Sequence, residues 1–411
     1  MLKKERTLIA LVLLALLLRA AYVLFFADLA RDSYWEYGEL ARNLHMGKGY
    51  SLFHNEGGRY EFVASPSALP YPSAYMMPGY VGLIYPFFFL SDVVLMNVLL
   101  LLLQGVIGAA CVALTFRFTA RFMGRREAWV AAALMACLPE FVYASSSCTP
   151  TVLFHLLFLA LLPVLCDLWE AGSLRPELTA GALFAALVYV RPETALFAAA
   201  LVAALLLAGR ARSALRLGIV IALLLSPWQI RNAVVFHEWI PFTTNGGLNF
   251  FRGHNDLQLG TFGDDMIIQG LRDLPQGREF ELEMNRLYFS RAFQYITREP
   301  SHELAHDAEK LLQLWFWNSD DPRSANLLYR VPWMLILGGS AIGFVRTKAW
   351  SRHRILTLYL ACATAVAVVF FVLPRYQTMM KVALLPFAGA GVISAWDALK
   401  RKRTEDVVRH D

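Results

Sequence analysis

The chain has 411 residues, of which 57% are hydrophobic, 13% aromatic and only 17% charged, a composition outside the range of ordinary soluble domains. Ten apolar spans of about 20 residues each account for roughly half of it and leave no room for a large separate soluble domain. The formal charge of +6 is explained by membrane topology, so no nucleic-acid partner is expected.

In chain order, the first expected span covers residues 8–27, behind the basic start Met1-Leu2-Lys3-Lys4-Glu5-Arg6. Its apolar run is longer than a signal-peptide core and lacks a small-residue cleavage site, so it reads as an uncleaved first span. A polar stretch, 28–77, follows, in which Ser33 to Met46 is predicted helical with Tyr37, Leu40, Ala41 and Leu44 on one face, suited to the membrane surface. Pro78 to Leu90 is apolar but too short to cross and is expected in the interface. Further spans are predicted at 92–117, 127–146, 150–169, 176–191, 193–209 and 214–234. The second long polar stretch is 236–328. Its Asn245-Gly246-Gly247 and Arg252-Gly253-His254-Asn255-Asp256 segments read as turns, and 279–317 as amphipathic helix interrupted at Pro300. The last three spans are 329–346, 354–373 and 377–398, ahead of a Lys400-Arg401-Lys402-Arg403 tail suited to anionic lipid. The whole chain thus reads as one domain, 1–411, of all-α polytopic class.

Basic residues orient the spans. Short loops on one side, with both termini, hold 20 of the 38 Lys and Arg; short loops on the other hold three, Arg191, Arg375 and Lys381. The first set is therefore expected in the cytoplasm, and both long loops on the exoplasmic face. The five cysteines lie in or beside apolar runs without CxxC spacing and read as small buried apolar residues.

Chemistry is expected in the exoplasmic loops. Asp32 lies where the chain leaves the first span, and Glu36 follows one helical turn later. A carboxylate there can take a proton from a hydroxyl nucleophile or cap the helix that follows. Arg191, Arg231, Arg375 and Lys381 fall near exoplasmic span ends, where cations can grip a lipid phosphate or simply snorkel. Arg19 interrupts the first span and is expected to face protein or a water-filled cavity. His302-Glu303-Leu304-Ala305-His306 matches the HExxH of zinc proteases, but no third ligand follows at the right spacing.

Taken in order, several segments resemble a known family: Asp32-Ser33-Tyr34 with Leu40-Ala41-Arg42-Asn43-Leu44 and Gly47-Lys48-Gly49-Tyr50-Ser51; Pro78-Gly79-Tyr80; Arg191-Pro192; Ser226-Pro227-Trp228-Gln229-Ile230-Arg231-Asn232; Thr244-Asn245-Gly246-Gly247 with Asn249 and Gly253-His254-Asn255; and Arg375-Tyr376 ahead of Pro386. The chain resembles the polytopic GT-C glycosyltransferases, specifically the bacterial family 39 group related to protein O-mannosyltransferases and lipid A aminoarabinose transferases. The resemblance implies a GT-C-like fold of about ten transmembrane helices and two long exoplasmic loops, 28–77 catalytic and 236–328 covering the site. It implies transfer of a sugar from a polyprenyl-phosphate donor to a hydroxyl of a glycan, lipid or protein acceptor, with inversion, on the exoplasmic face of an inner (plasma) membrane.

Asp32 is then the catalytic carboxylate, and Arg191, Arg231, Arg375 and Lys381 are the donor-phosphate ligands. Glu36, Tyr37, Tyr75, Asn245, Asn249, His254 and Tyr376 are expected to bind substrate. No metal ligand is assigned, although assistance by a divalent metal is left open. Two departures stand out: Met76 and Met77 precede Pro78 where relatives often carry a basic residue, and Thr149 is followed by Pro150 where relatives often have Glu. The alternatives are a lipid flippase or transporter on the same scaffold and, less favoured, a membrane zinc protease using His302, Glu303 and His306.

Overall fold

The computed structural model describes residues 2–30, 35–53, 70–171, 173–255, 274, 277–317 and 326–410. They are almost wholly helical. In order, the helices are α1 (Leu2–Phe26), α2 (Trp35–His45), α3 (Pro78–Ile84), α4 (Val93–Phe122), α5 (Arg125–Cys137), α6 (Pro139–Ala144), α7 (Thr151–Ala171), α8 (Leu174–Val190), α9 (Thr194–Leu207), α10 (Ala211–Phe236), α11 (Gly246–Gly253), α12 (Phe280–Arg298), α13 (Pro300–Trp315), α14 (Leu327–Thr347), α15 (Ala349–Arg352), α16 (Arg354–Val369) and α17 (Pro374–His410). One small antiparallel pair, β1 (Ser51–Phe53) and β2 (Pro70–Pro72), sets Ser51 opposite Pro72.

Every predicted span falls on helix, and six helices are long and apolar enough to cross a membrane by length and composition: those at Glu5–Phe26, Val93–Phe122, Thr151–Glu170, Ala211–Phe236, Leu327–Thr347 and Arg375–Lys402. The span predicted at 127–146 is broken into α5 and α6, because Pro139 has no N–H to continue the helix. That break leaves carbonyls without helical partners, and Arg19 fills the gap. Its Nη1 donates to Ala136 O at 3.2 Å and its Nη2 to Met135 O at 2.9 Å, so the cation inside α1 is wholly buried in protein.

The core lies among α4, α5, α7, α8 and α17. Helices α14 and α17 touch backbone to backbone: a Cβ on Gly343 would stand 1.9 Å from Phe387 O, and one on Gly391 1.9 Å from Gly339 O. Small residues at this seam permit the approach that apolar helices need in lipid. By contrast α1, α10 and α14 keep most of their apolar residues bare, as lipid-facing helices do.

Two sequence expectations are corrected. The apolar face of α2 is not laid on a membrane surface; Leu40 and Ala41 are fully buried in a cluster with Tyr80, Ile84 and Tyr288. Gly246-Gly247 and Arg252-Gly253, read as parts of two separate turns, are the two ends of α11, because Leu248 and Phe251 share a buried face that outweighs the helix-breaking tendency of three glycines.

Candidate active site

Asp32 lies outside the described residues. The described chain stops at Ala30 and resumes at Trp35: Leu29 O, just past the first span, accepts from Asn97 Nδ2 at 2.6 Å, and the first turn of α2 presents Glu36 and Tyr37. Around those two side chains the bundle gathers Arg191, Arg252 and Arg375. Arg191 precedes Pro192, which holds it extended and ends α8 there. Its Nε sits 2.6 Å from Glu193 Oε1, and its guanidinium lies 5.2 Å from the centre of the Tyr376 ring. Arg375 opens α17 and covers the same ring at 5.7 Å. Thus two of the four expected phosphate ligands meet on one aromatic plate.

Burial raises the Glu36 carboxyl above the usual carboxylate range, while the nearby Arg252 and Arg375 pull the other way. Burial likewise raises the Tyr37 phenol, against the field of Arg191 and Arg375. Arg252, which also lies 5.7 Å from the Phe371 ring centre, is the cation that sequence reasoning missed. It was read as part of a turn, and only the helical course of α11 turns it toward α2.

The other two expected phosphate ligands are engaged elsewhere. Arg231 Nη1 donates to Ser73 O at 2.7 Å and to Asn232 Oδ1 at 2.9 Å, and its Nη2 donates to Tyr50 O at 3.1 Å, clamping the first loop to α10. Lys381 is fully buried in a hydrogen-bonded ion pair with Glu140, its ammonium 4.3 Å from the Tyr329 ring centre. Neither shares a contact with the Arg191–Arg375 pair.

Among the expected substrate residues, Tyr75 is buried and its N–H donates to Ser73 Oγ at 3.0 Å. Asn245 stands just ahead of α11, its side chain turned away from the helix end so that Nδ2 reaches Met76 Sδ at 3.7 Å, and Asn249 lies one turn on, with its N–H bonded to Asn245 O at 3.0 Å. This second group joins the first through Tyr50, which lies within the field of both Tyr37 and Arg231. Behind it stands Glu281, another residue not foreseen. Its Oε2 accepts from Ala74 N at 2.8 Å and Thr244 Oγ1 at 2.5 Å, tying the first loop to the second.

His254 is held on both ring nitrogens, by Val369 O at 2.7 Å from Nε2 and by Glu303 Oε1 at 2.5 Å from Nδ1. A carbonyl only accepts, so Nε2 is the donor to Val369 O. This contact dismantles the HExxH reading. Glu303 turns inward to His254, whereas His302 is exposed and His306 stacks on Tyr295 with ring centres 5.9 Å apart. Ligand atoms of His254, Glu303 and Asp307 do lie within 4.8 Å of one another. Lys310 already occupies that position, with Nζ 2.7 Å from Asp307 Oδ1 and 3.7 Å from Glu303 Oε1. A metal ion would have to displace a buried ammonium, so these residues do not fit one.

An apolar cleft of about 460 Å³ opens between α3, α7 and α8, lined by Pro78, Gly79, Leu153, Leu157, Tyr189 and Val190 among others. Its floor depends on the close fit of α3 against α8, since a Cβ on Gly79 would stand 2.6 Å from Tyr189 O. One end of the cleft, at Val190, is the residue before Arg191. The apolar cleft and the cationic, aromatic site thus adjoin at the end of α8.

The comparisons agree with this architecture. Residues 88–230 match the model of the dolichyl-phosphate-mannose-protein mannosyltransferase family. The archaeal oligosaccharyltransferase AglB from Archaeoglobus fulgidus, solved with an inhibitory peptide and a dolichol-phosphate, is similar over 98% of this chain and 52% of its own, with a TM-score of 0.56 and 14% identity. The Archaeoglobus fulgidus oligosaccharyltransferase tethered to an acceptor peptide matches with a TM-score of 0.56 and 13% identity over 97% of this chain and 51% of its own. ArnT from Cupriavidus metallidurans bound to undecaprenyl phosphate is a looser likeness, with a TM-score of 0.44 and 14% identity over 93% and 77%. No curated protein matches. The chain spans about half the length of the oligosaccharyltransferase structures it matches. It is a multi-pass membrane protein with the GT-C fold.

Proposed function

We propose that this protein is an integral-membrane glycosyltransferase that moves a sugar from a polyprenyl-phosphate donor to an acceptor hydroxyl on the exoplasmic face of the plasma membrane. The observation that carries the reading is the meeting of Arg191 and Arg375 over Tyr376 beside the end of the apolar cleft. A polyprenyl chain needs a greasy groove, and its phosphate needs charge-assisted donors at the mouth. The family match over 88–230 and the dolichol-phosphate carried by the AglB structure support it.

In this reading the bundle makes ten crossings, with both termini in the cytoplasm and the two long loops outside. The donor phosphate sits against Arg191, Arg252 and Arg375, with Tyr376 beneath. Asp32 accepts the proton of the acceptor hydroxyl as its oxygen forms the new bond to the anomeric carbon. The bond from that carbon to the phosphate oxygen breaks, and polyprenyl phosphate leaves as a stable anion. No strong general acid is needed, and a single displacement inverts the anomeric centre. Glu36 and Tyr37 position the sugar, with Tyr75, Asn245 and Asn249 on the acceptor side. Arg231 and Lys381 shape the scaffold around the site.

The test is release of free polyprenyl phosphate by purified wild-type and Asp32→Asn protein, given a panel of polyprenyl-phosphate sugars and an envelope extract. Release by wild type, lost in a variant that purifies and melts normally, is the expected result. Wild-type rates in Asp32→Asn would remove Asp32 from the chemistry.

A further inference from the structure

Helix α13 is amphipathic with its faces reversed from those of a water-facing helix. Of its four buried residues, Glu303, Lys310 and Gln313 are charged or polar and Leu314 is apolar. Glu303 bonds His254, and Lys310 donates to Gly253 O at 3.1 Å and to Val368 O, at the end of α16, at 2.7 Å. Near its far end, Gln377 in the first turn of α17 donates from Nε2 to Gln313 O at 2.9 Å, Leu314 O at 2.7 Å and Phe316 O at 3.2 Å. The side turned away is apolar from Leu304 onward, after Ser301 and His302 exposed in the first turn: Leu304 is 72% exposed, Leu312 58% and Phe316 42%, with Ala308 and Leu311 between them.

These anchors also fix its height. Val368 and Val369 end one apolar helix and Gln377 lies in the first turn of another, so α13 is strapped across the ends of both. The bare face continues into a membrane-facing surface. Trp317, just past α13, lies 5.2 Å from the guanidinium of Arg330 in the first turn of α14, and α14 then presents Leu327, Leu328, Val331 and Leu335 outward. An aromatic and a cation at this junction mark a membrane–water boundary.

We propose that the outward face of α13 is bedded in the acyl-chain boundary of the adjoining bilayer leaflet. The second long loop is then a lipid-anchored wall of the site rather than a flap in water. The charged inner face and apolar outer face are the arrangement that such a helix requires.

The test places one spin label at a time, on a genetically encoded keto residue so that the native cysteines stay unmodified, in full-length protein in phosphatidylcholine–phosphatidylglycerol nanodiscs. Labels replace Leu311 or Leu304 on α13, Leu335 on α14 as a lipid reference and Gln294 on α12 as a water reference. Collision rates with oxygen and with a nickel chelate are measured for each. The proposal expects the α13 labels to follow Leu335, favouring oxygen several-fold over nickel relative to Gln294. Nickel access equal to that of Gln294 would place the face in water and overturn it. A label immobilised and shielded from both quenchers would show a covering protein surface, and would overturn it too.

Discussion

Glu281 offers a perturbation whose sign and size follow from its surroundings. The side chain is fully buried, and burial pushes its carboxyl from 4.5 up to about 7, against the donors of Ser73, Thr244 and Ala74 and the field of Arg231. A carboxyl raised in the folded state binds its proton more tightly there than in the unfolded chain. Its contribution to stability is therefore complete below about 4.5 and is lost as pH climbs through about 7. At ~1.4 kcal/mol per unit, the loss amounts to about 3 kcal/mol. Glu281→Gln keeps an acceptor for Ala74 N–H and the Thr244 hydroxyl and cannot ionise. Thermal unfolding of both proteins in detergent micelles, followed by tryptophan fluorescence from pH 5 to 8.5, should show similar midpoints at the acid end. The variant should then pull ahead through neutrality. A gap that does not change with pH, or a variant that falls behind as pH rises, would refute the reasoning.

Three further outcomes follow from the same geometry. Lys381→Met leaves Glu140 charged and unpaired in a buried position and should cost about 3–5 kcal/mol, whereas Lys381→Met with Glu140→Leu should recover most of that in the same melting assay. Gly82 lines the apolar cleft with nothing within 4 Å of a Cβ placed on it, so Gly82→Leu should fold normally and raise the KM for a long-chain donor more than for a short-chain one. Arg375→Gln removes one charge-assisted contact to phosphate and should weaken polyprenyl-phosphate binding by about 10-fold or more, read by native mass spectrometry; unchanged binding would take Arg375 out of the phosphate site.

The apolar periodicity of the sequence is strong enough to place a helix on each expected span, because lipid demands both the length and the composition. Azimuth is another matter. Arg191, Arg231, Arg375 and Lys381 sit at similar depths on their spans, yet only packing decides that the first and third meet over Tyr376 while Arg231 reaches Ser73 O and Tyr50 O and Lys381 pairs with Glu140. Glu281 was illegible for the same reason, since its partner Ala74 lies 207 residues away. For the HExxH pattern too, spacing along α13 says nothing of which residues face inward; Glu303 does, and His302 does not. Arg252 was hidden in the Arg252-to-Asp256 segment that reads as a turn, whereas Arg252 and Gly253 fold as the last residues of α11.

The central claim is transfer of a sugar from a lipid phosphate. Its most direct measurement is stoichiometry: purified wild-type protein in liposomes, supplied with a polyprenyl-phosphate sugar labelled in the sugar and with envelope acceptors, followed by mass spectrometry of both products. One polyprenyl phosphate released for each labelled sugar joined to acceptor is the predicted result. Movement of intact donor between leaflets, with neither product formed, would contradict it and make the protein a lipid transporter.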